Sequence, residues 1–232
     1  MCIKLFPSGE TYRICNSDNG LKLMTPNDEP SAVYWLNESL YLNITNRCSN
    51  NCWFCFRNYR KGVGSFNLKL KEDPSAAAIK AELQEALSRK SWREVVFCGF
   101  GEPTERLDLL LEIAQWMKSH SPNVSVRLDT NGHGCAFNPR KDVAKDLKAA
   151  GISKVSVSLN GWDEESYCEN CRPTIAIAFQ TVLEFIKRAK AAELDVEVSA
   201  VRMPELDISK VKAIADSLGV PFRIRDYVPC FW

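Results

Sequence analysis

Residues 40–57 read LYLNITNRCSNNCWFCFR, and they place three cysteines, Cys48, Cys52 and Cys55, in a Cys-x3-Cys-x2-Cys pattern. The apolar run at 40–44 predicts a β-strand that ends just before the first cysteine. A strand followed at once by such a loop can surround one compact metal centre, because so short a loop cannot send its sulfurs far apart. The three cysteines are therefore the candidate metal ligands.

Three thiols from one loop favour an iron–sulfur cluster over a structural zinc site. Structural zinc is closed by four ligands, and the only two histidines, His120 and His133, lie far from the loop in sequence. Iron–sulfur clusters usually take four cysteine thiolates, so a cluster held by three keeps one iron open. Spacing alone leaves two alternatives: a zinc knuckle completed by a distant residue, and buried thiols that bind no metal. A disulfide framework fits poorly, because no secretory signal precedes the loop.

The loop and three further segments resemble the radical S-adenosylmethionine (radical SAM) superfamily. The cysteine triplet, with aromatic Phe54 before its last member, matches the pattern of that superfamily. The segments LYLNITNRC at 40–48, GFGEPT at 99–104 and CRP at 171–173 are most similar to the TatD family-associated branch. The resemblance runs from about residue 38 to residue 227 and leaves the first 37 residues outside it.

The resemblance implies two cofactors and a radical reaction. A 4Fe–4S cluster on Cys48, Cys52 and Cys55 binds the amine and carboxylate of S-adenosylmethionine at its open iron. Reductive cleavage gives a 5′-deoxyadenosyl radical, which abstracts hydrogen from a substrate. A low-potential flavodoxin or ferredoxin is the implied electron donor.

Length and composition fit one soluble domain. The chain has 232 residues, 45% of them hydrophobic, which allows a sizeable core. Its 30 basic and 29 acidic residues give no global reason to expect nucleic-acid binding. No apolar run approaches the roughly 18 residues of a membrane helix, and the first residues lack a signal-peptide h-region. With ten cysteines and no secretory signal, the sequence predicts reduced thiols in a cytoplasmic protein.

Strand and helix patterns alternate after the cysteine loop. The six candidate strands are Leu40–Thr45, Glu94–Cys98, Ser125–Leu128, Lys154–Leu159, Asp195–Val201 and Phe222–Arg225. Amphipathic helices lie between them, and the last is delimited by Asp207 as N-cap and Gly219 as stop. Strand–helix units of about 30 residues imply a parallel sheet with right-handed crossovers. Six such strands predict a partial, open (β/α)6 TIM-like barrel, which the resemblance also implies.

Residues 1–38 are predicted to form a small N-terminal antiparallel β addition, and residues 39–232 the barrel domain. Apolar pieces at 2–6, 11–15 and 21–24 are separated by turn residues, including an Asn-Gly pair that favours a hairpin. Val33–Leu36 is expected to pair back on 40–44 and to cover an edge of the main sheet.

Polar and glycine-rich segments follow the predicted strand ends, where parallel α/β folds collect their chemistry. The candidate cofactor-binding residues are Phe54, Gly99, Phe100, Gly101, Glu102, Asp129, Ser158, Asn160 and Arg202. By resemblance, 99–102 contacts the cofactor amine and Phe54 neighbours its adenine. Asp129 could accept hydrogen bonds from the ribose hydroxyls or hold a cation near the cofactor. By position, Ser158 and Asn160 could bind the ribose or the methionine, and Arg202 could pair with the cofactor carboxylate.

Ordinary structural roles explain several of the same residues. Asp129 suits a turn, Glu102 could cap the following helix, and Arg202 could form a salt bridge. Arg47 and Arg57 flank the cysteine loop, where positive charge would stabilise a reduced cluster, although many such arginines simply reach solvent.

Cys171 is the candidate catalytic thiol, because the guanidinium of neighbouring Arg172 can lower its pKa. Cys135, Cys168, Cys171 and Cys230 could also hold an auxiliary cluster, although thiols without metal are the commoner case.

Three functions follow from these patterns. The first is radical chemistry on a small molecule or a nucleotide. The second is activation of a glycyl-radical enzyme. The LDTNG segment at 128–132 resembles the corresponding motif in superfamily members that activate such enzymes. The third, of a different class, is a non-catalytic iron–sulfur electron carrier.

Overall fold

The computed structural model describes residues 3–5, 11–13 and 29–227, and this part of the chain alternates strands and helices. The strands are β1 Ile3–Leu5, β2 Thr11–Arg13, β3 Val33–Leu36, β4 Ser39–Leu42, β5 Gly62–Val63, β6 Phe66–Asn67, β7 Glu94–Phe97, β8 Ser125–Thr130, β9 Lys154–Ser158, β10 Asp195–Arg202 and β11 Phe222–Asp226. The α-helices are α1 Ala76–Arg89, α2 Leu107–His120, α3 Gly134–Phe137, α4 Val143–Ala150, α5 Glu164–Cys171, α6 Ala178–Ala191 and α7 Ile208–Ser217. Two short 3-10 helices, Phe56–Asn58 and Pro103–Arg106, complete the set.

The main sheet has seven strands in the order β11-β10-β9-β8-β7-β4-β3. Six of them, from β4 to β11 along the sheet, pair in parallel, and β3 joins β4 in antiparallel orientation at one edge. Among the described residues, β3 and β11 are the two edges and do not pair with each other. The sheet is therefore open, and the predicted partial (β/α)6 barrel is confirmed.

The two faces of the parallel strands differ in chemistry, because successive side chains point to opposite sides. One face packs against the helices and is apolar: Leu40, Leu42, Val95, Phe97, Val126, Leu128, Val155, Val157, Val196 and Val198 are all buried core residues. The opposite face, called here the inner face, carries Tyr41, Glu94, Arg127, Asp129, Lys154, Ser156, Ser158, Asp195, Glu197, Arg223 and Arg225. A polar lining on the concave side of the sheet leaves a place for a polar ligand below the strand ends.

The predicted strands match the observed ones to within three residues at every end. The pairing of 33–36 with the first barrel strand is found, with Val33 opposite Leu42 and Asn37 turning the chain at φ 54°. The segments at 2–6 and 11–15 correspond to the antiparallel pair β1 and β2. The predicted strand at 21–24 and Cys230 lie outside the described residues. In the described part, no helix combines the length and the apolarity needed to cross a membrane.

Candidate functional site

The cysteine loop, residues 46–58, leaves the carboxyl end of β4 and lies at the rim of the inner space. Asn46 fixes its start, since Nδ2 donates to the Leu70 carbonyl at 2.7 Å and Oδ1 accepts from the Leu70 amide at 3.0 Å. The Cys55 amide donates to the Cys52 carbonyl at 3.1 Å, which folds the last two cysteines into a turn. All three thiols are half-buried.

The end of helix α5 holds this loop in place. The Asn51 amide donates to the Cys171 carbonyl at 3.0 Å, and the Trp53 amide donates to the Asn170 carbonyl at 3.3 Å. The indole Nε1 of Trp53 also donates to Asn170 Oδ1 at 3.2 Å. Because these bonds join the cysteine loop to the end of α5, the position of the cysteines depends on that helix.

Each of the three sulfurs receives a hydrogen bond from a different residue. Arg57 Nε donates to Cys55 Sγ at 3.3 Å, and Asn131 Nδ2 lies 3.9 Å from Cys48 Sγ. The Cys171 thiol donates to Cys52, which lowers the pKa of Cys52. Donors aimed at sulfur stabilise negative charge there, as ligands of an iron–sulfur cluster require.

Arg57 is the charged member of this set. Its two terminal nitrogens donate to the carbonyls of Asn46 and Asn50, at 3.3 and 3.0 Å, so the guanidinium bridges the loop. It lies over the Phe100 ring, 5.8 Å from the centroid, and interacts electrostatically with all three cysteines. The positive charge that the sequence placed beside the loop is therefore directed inward at Arg57, whereas Arg47 is exposed and lies 3.7 Å from Asp73.

The donor set fits an iron–sulfur cluster in kind. Within residues 29–227, no three His, Cys, Asp or Glu side chains are arranged to hold a metal ion. In a cubane each thiolate binds a different iron, so the ligands surround a volume instead of meeting at one point. Three half-buried thiols on one short loop, each with a hydrogen-bond donor, meet that requirement.

The carboxylate of Glu102 is hydrogen-bonded to other residues of the rim. It is 4% exposed, and Oε1 accepts from the Thr104 amide, the Thr104 hydroxyl and the Thr130 hydroxyl at 3.1, 2.6 and 2.7 Å. Oε2 accepts from the Asn131 amide at 2.7 Å. Four donors already use this carboxylate, so the geometry supports the capping role, and the predicted contact of 99–102 with the cofactor amine stays a prediction.

The glycines of 99–102 allow the chain to pack against itself. A Cβ on Gly99 would lie 2.3 Å from Asn43 Oδ1, and one on Gly101 would lie 2.3 Å from the Arg47 carbonyl. The Phe100 amide donates to Asn43 Oδ1 at 2.8 Å, and the Glu102 amide to the Arg47 carbonyl at 2.7 Å. The predicted close approach is present, but its partner is the cysteine loop and the strand before it.

Asp129 and Ser158 face the inner space, as predicted from their positions at strand ends. Asp129 is paired with Arg127, and burial raises the pKa of its carboxyl against the opposing effect of that guanidinium. Ser158 Oγ accepts from Arg225 Nη2 at 3.0 Å. Both can contact a ligand below the cysteine loop.

Asn160 and Arg202 have structural partners instead. Asn160 is buried and its Oδ1 accepts from the Val201 amide at 2.8 Å. Strand alternation puts Arg202 on the helix-packed side of β10, where it is exposed and lies 3.9 Å from Asp226. The predicted pairing of Arg202 with the cofactor carboxylate is not supported by this placement.

Phe54 lies within the loop, its ring edge-on to Trp53 with centroids 5.7 Å apart. It is half-buried on the rim, and its predicted role beside adenine stays a prediction.

The expected lowering of the Cys171 pKa is wrong. Cys171 is 1% exposed and burial raises its pKa well above the usual value, while Arg172 is exposed and turns away at φ 47°. Cys171 is thus a hydrogen-bond donor to Cys52, not an activated nucleophile. Cys168 is exposed and Cys135 lies in a cleft beside α6, so the described thiols of the predicted auxiliary site point to different places.

A buried polar network beneath the loop was missed at the level of sequence. His133 is fully buried, with Nδ1 3.0 Å from Ser49 Oγ and Nε2 3.2 Å from the Tyr167 hydroxyl. That hydroxyl accepts from Asn50 Nδ2 at 3.1 Å. Burial lowers the pKa of His133 to about 4. The network ties strand β8 and helix α5 to the cysteine loop.

Comparison with known proteins gives one family match over most of the chain. The model of the radical SAM superfamily matches residues 42–218. A GTP 3′,8-cyclase of Paenarthrobacter nicotinovorans is 32% identical over 192 residues, which cover 81% of this chain and 50% of the relative. A GTP 3′,8-cyclase of Corynebacterium glutamicum is 29% identical over 197 residues, 82% of this chain and 49% of the relative. The chain spans about half the length of these curated relatives.

Solved structures with a similar fold share little sequence. Streptococcus suis SuiB bound to its precursor peptide SuiA has a TM-score of 0.62 at 16% identity, over 89% of this chain and 40% of SuiB. Native anSMEcpe with bound AdoMet has a TM-score of 0.59 at 17% identity, over 81% of this chain and 50% of anSMEcpe. These likenesses concern the fold.

Proposed function

The chain belongs to the radical SAM superfamily, whose enzymes use a 4Fe–4S cluster and S-adenosylmethionine, and from this premise we propose that Cys48, Cys52 and Cys55 hold the cluster. The observation that carries the proposal is the set of three thiols at the carboxyl edge of six parallel strands, each with its own hydrogen-bond donor. Membership of an enzyme family sets aside the hypothesis of a non-catalytic electron carrier. The TatD-associated branch stays a prediction.

Residues at the rim and residues on the inner face have different proposed roles. When bound, the cluster and S-adenosylmethionine supply a 5′-deoxyadenosyl radical that abstracts hydrogen from the substrate. Arg57, Asn131 and Cys171 stabilise the charge on the cysteine sulfurs, and Asp129 and Ser158 contact ligand from the inner face. An external reductant is required, for which we propose a low-potential flavodoxin or ferredoxin.

The substrate we propose is a small molecule or a nucleotide. The relatives named GTP 3′,8-cyclase support a nucleotide, and the polar inner face offers hydrogen-bond partners for one. Activation of a glycyl-radical enzyme rests on the LDTNG segment alone. The side chains of Thr130 and Asn131 in that segment bind Glu102 and Ser49 within the fold, so that motif serves the packing of the rim.

Anaerobic reconstitution tests the proposal. We expect about four irons per chain, an electron paramagnetic resonance signal after reduction, and formation of methionine and 5′-deoxyadenosine. Cys48→Ala, Cys52→Ala and Cys55→Ala should each lose cluster and products, while Cys168→Ala, at an exposed thiol, should keep both. A full reduced cluster that yields neither product would refute the proposed function.

A further inference from the structure

The inner face carries four basic side chains, and one of them has no carboxylate partner. The basic side chains are Arg127, Lys154, Arg223 and Arg225, and the carboxylates are Glu94, Asp129, Asp195 and Glu197. Arg127 pairs with Glu94 and Asp129. Lys154 and Arg223 both pair with Glu197, at 2.8 Å each. Glu94, Asp129 and Glu197 are therefore engaged by other cations. Asp195 is exposed at the start of β10, whereas Arg225 pairs with Val201 near the end of that strand.

Arg225 is the basic side chain left over. Among the described residues no carboxylate lies within ion-pair distance of it, and its one hydrogen bond goes from Nη2 to Ser158 Oγ at 3.0 Å. Its Nε is buried and has no hydrogen-bond partner within the described ranges. Removing a guanidinium from water without a partner for its N–H groups is costly, and burial accordingly lowers the pKa of Arg225.

The guanidinium lies below the proposed radical site. The pairing of Arg225 with Val201 puts it on the inner face, where Asp129, Cys98, Arg223 and Cys52 interact with it electrostatically. Its hydrogen-bond partner Ser158 is at the end of the neighbouring strand β9. A molecule that occupies the inner space beside the cysteine loop would contact this side chain.

We propose that Arg225 binds an anionic group, a carboxylate or a phosphate, of the molecule held in the inner space. The inference rests on the proposed function, and it narrows the substrate class to an anionic molecule where the bound group belongs to the substrate. The planar guanidinium suits both groups, because its N–H donors match two oxygens in parallel. An oxygen anion would also provide the partner that Nε lacks.

Two sources could supply the anion, the substrate or the methionyl carboxylate of the cofactor. Binding of inorganic pyrophosphate and of malonate to the reconstituted enzyme, in saturating S-adenosylmethionine, reports on the first source. Binding of S-adenosylmethionine alone, compared with methylthioadenosine, which has no carboxylate, reports on the second. Arg225→Gln removes the charge, and Arg225→Lys keeps the charge but lacks the paired N–H donors of a guanidinium. Arg188→Gln is the matched control, at an exposed arginine of α6.

We expect Arg225→Gln to weaken pyrophosphate or malonate binding by about tenfold or more, which is the effect of losing one charged hydrogen-bonded contact. The affinity of Arg225→Lys should lie between those of Arg225→Gln and the parent. The affinity of Arg188→Gln should equal that of the parent. If S-adenosylmethionine affinity falls instead while methylthioadenosine affinity holds, the anion is the cofactor carboxylate. Urea unfolding of Arg225→Gln should be unchanged or shifted to higher urea, since a buried, partly unpaired cation is removed.

Unchanged affinity for all these ligands in Arg225→Gln would overturn the inference, as would an equal loss of affinity in Arg188→Gln. The outcome is separate from that of the proposed function. An enzyme that binds pyrophosphate through Arg225 but never forms 5′-deoxyadenosine refutes the radical chemistry and leaves the anion site intact.

Discussion

At the scale of single residues, Arg57 combines charge and geometry at the cysteine loop. It donates to Cys55 Sγ and to two loop carbonyls, and it lies over the Phe100 ring. A cation this close to the sulfurs favours the more negative, reduced form of a cluster. The residue therefore acts on the ease of reduction as well as on the shape of the loop.

Arg57→Gln should make the cluster harder to reduce. We expect its midpoint potential to fall by about 60 mV or more, which for a one-electron couple corresponds to the roughly 1.4 kcal/mol of a charged hydrogen bond. A redox titration followed by electron paramagnetic resonance measures it. Arg47→Gln, at the exposed arginine on the other side of the loop, should leave the potential unchanged. Equal potentials in both variants would assign Arg57 to loop structure alone.

His133 predicts a pH dependence of stability. Burial lowers its pKa from 6.5 to about 4, so between these values the unfolded chain binds a proton that the folded chain does not. Above pH 6.5 the neutral His133 does not reduce the free energy of unfolding. As the pH falls from 6.5 toward 4, that free energy should decrease by on the order of 3 kcal/mol. Urea unfolding at pH 7.5 and 4.5 measures the loss.

His133→Gln is the matching variant, because glutamine cannot take up the proton. Its free energy of unfolding should fall less than that of the parent chain over the same interval. Parallel curves for the two proteins would show that His133 does not carry the acid sensitivity.

The proximity of side chains was predictable from sequence where spacing alone fixes it, as for the cysteine triplet. Residue roles were not predictable where the direction of a side chain decides. Arg202 was correctly placed at a strand end, yet alternation turns it away from the inner space. Arg225 belongs to a segment, FRIRD, that suggests arginines facing water. Only the curvature of the sheet puts that side chain beneath the cysteine loop.

At the scale of elements, helix α5 is the support of the cysteine loop. Its N-terminus has a capping box, in which Asp163 accepts from the Ser166 amide at 2.8 Å and Ser166 Oγ accepts from the Asp163 amide at 3.1 Å. Its C-terminal residues contact the loop directly. Order at one end of the helix therefore affects the cysteines at the other.

Asp163→Ala and Asp207→Ala form a matched pair of cap deletions. Asp207 caps α7, accepting from the Ser209 amide at 3.0 Å, and α7 packs against β10 and β11. Each change should cost about 1 kcal/mol of stability. Only Asp163→Ala should also reduce the iron content and speed amide hydrogen exchange at residues 46–58. Equal iron contents in the two variants would contradict the supporting role of α5.

Strands were the most predictable elements, because β-branched and aromatic runs recur between helix patterns. Helix α5 escaped prediction because EESYCENC offers only Tyr167 and Cys171 to the core. Its capping signal, Asp163 with Ser166 three residues later, was present in the sequence. The β5–β6 hairpin was also missed, since two-residue strands carry no detectable alternation.

At the scale of the whole molecule, the core and the cysteine loop are stabilised by different interactions. The sheet and its helices bury an apolar core in which Leu40, Leu110, Val157 and Phe185 are fully inaccessible. The loop is held mainly by hydrogen bonds to α5, Leu70 and Asn131. Removing the cluster should therefore disturb the loop and leave the barrel folded.

The triple variant Cys48→Ala, Cys52→Ala, Cys55→Ala tests this separation. We expect far-ultraviolet circular dichroism like that of the parent and one cooperative urea transition, because none of the three thiols contributes to the buried strands. Hydrogen exchange should accelerate at residues 46–58 and at the end of α5, where Asn170 and Cys171 lose an ordered partner. A chain that loses its strands with its thiols would mean that metal binding drives folding, as it does in small metal-dependent domains. A barrel that stays folded would make the fold the scaffold on which the cluster is assembled.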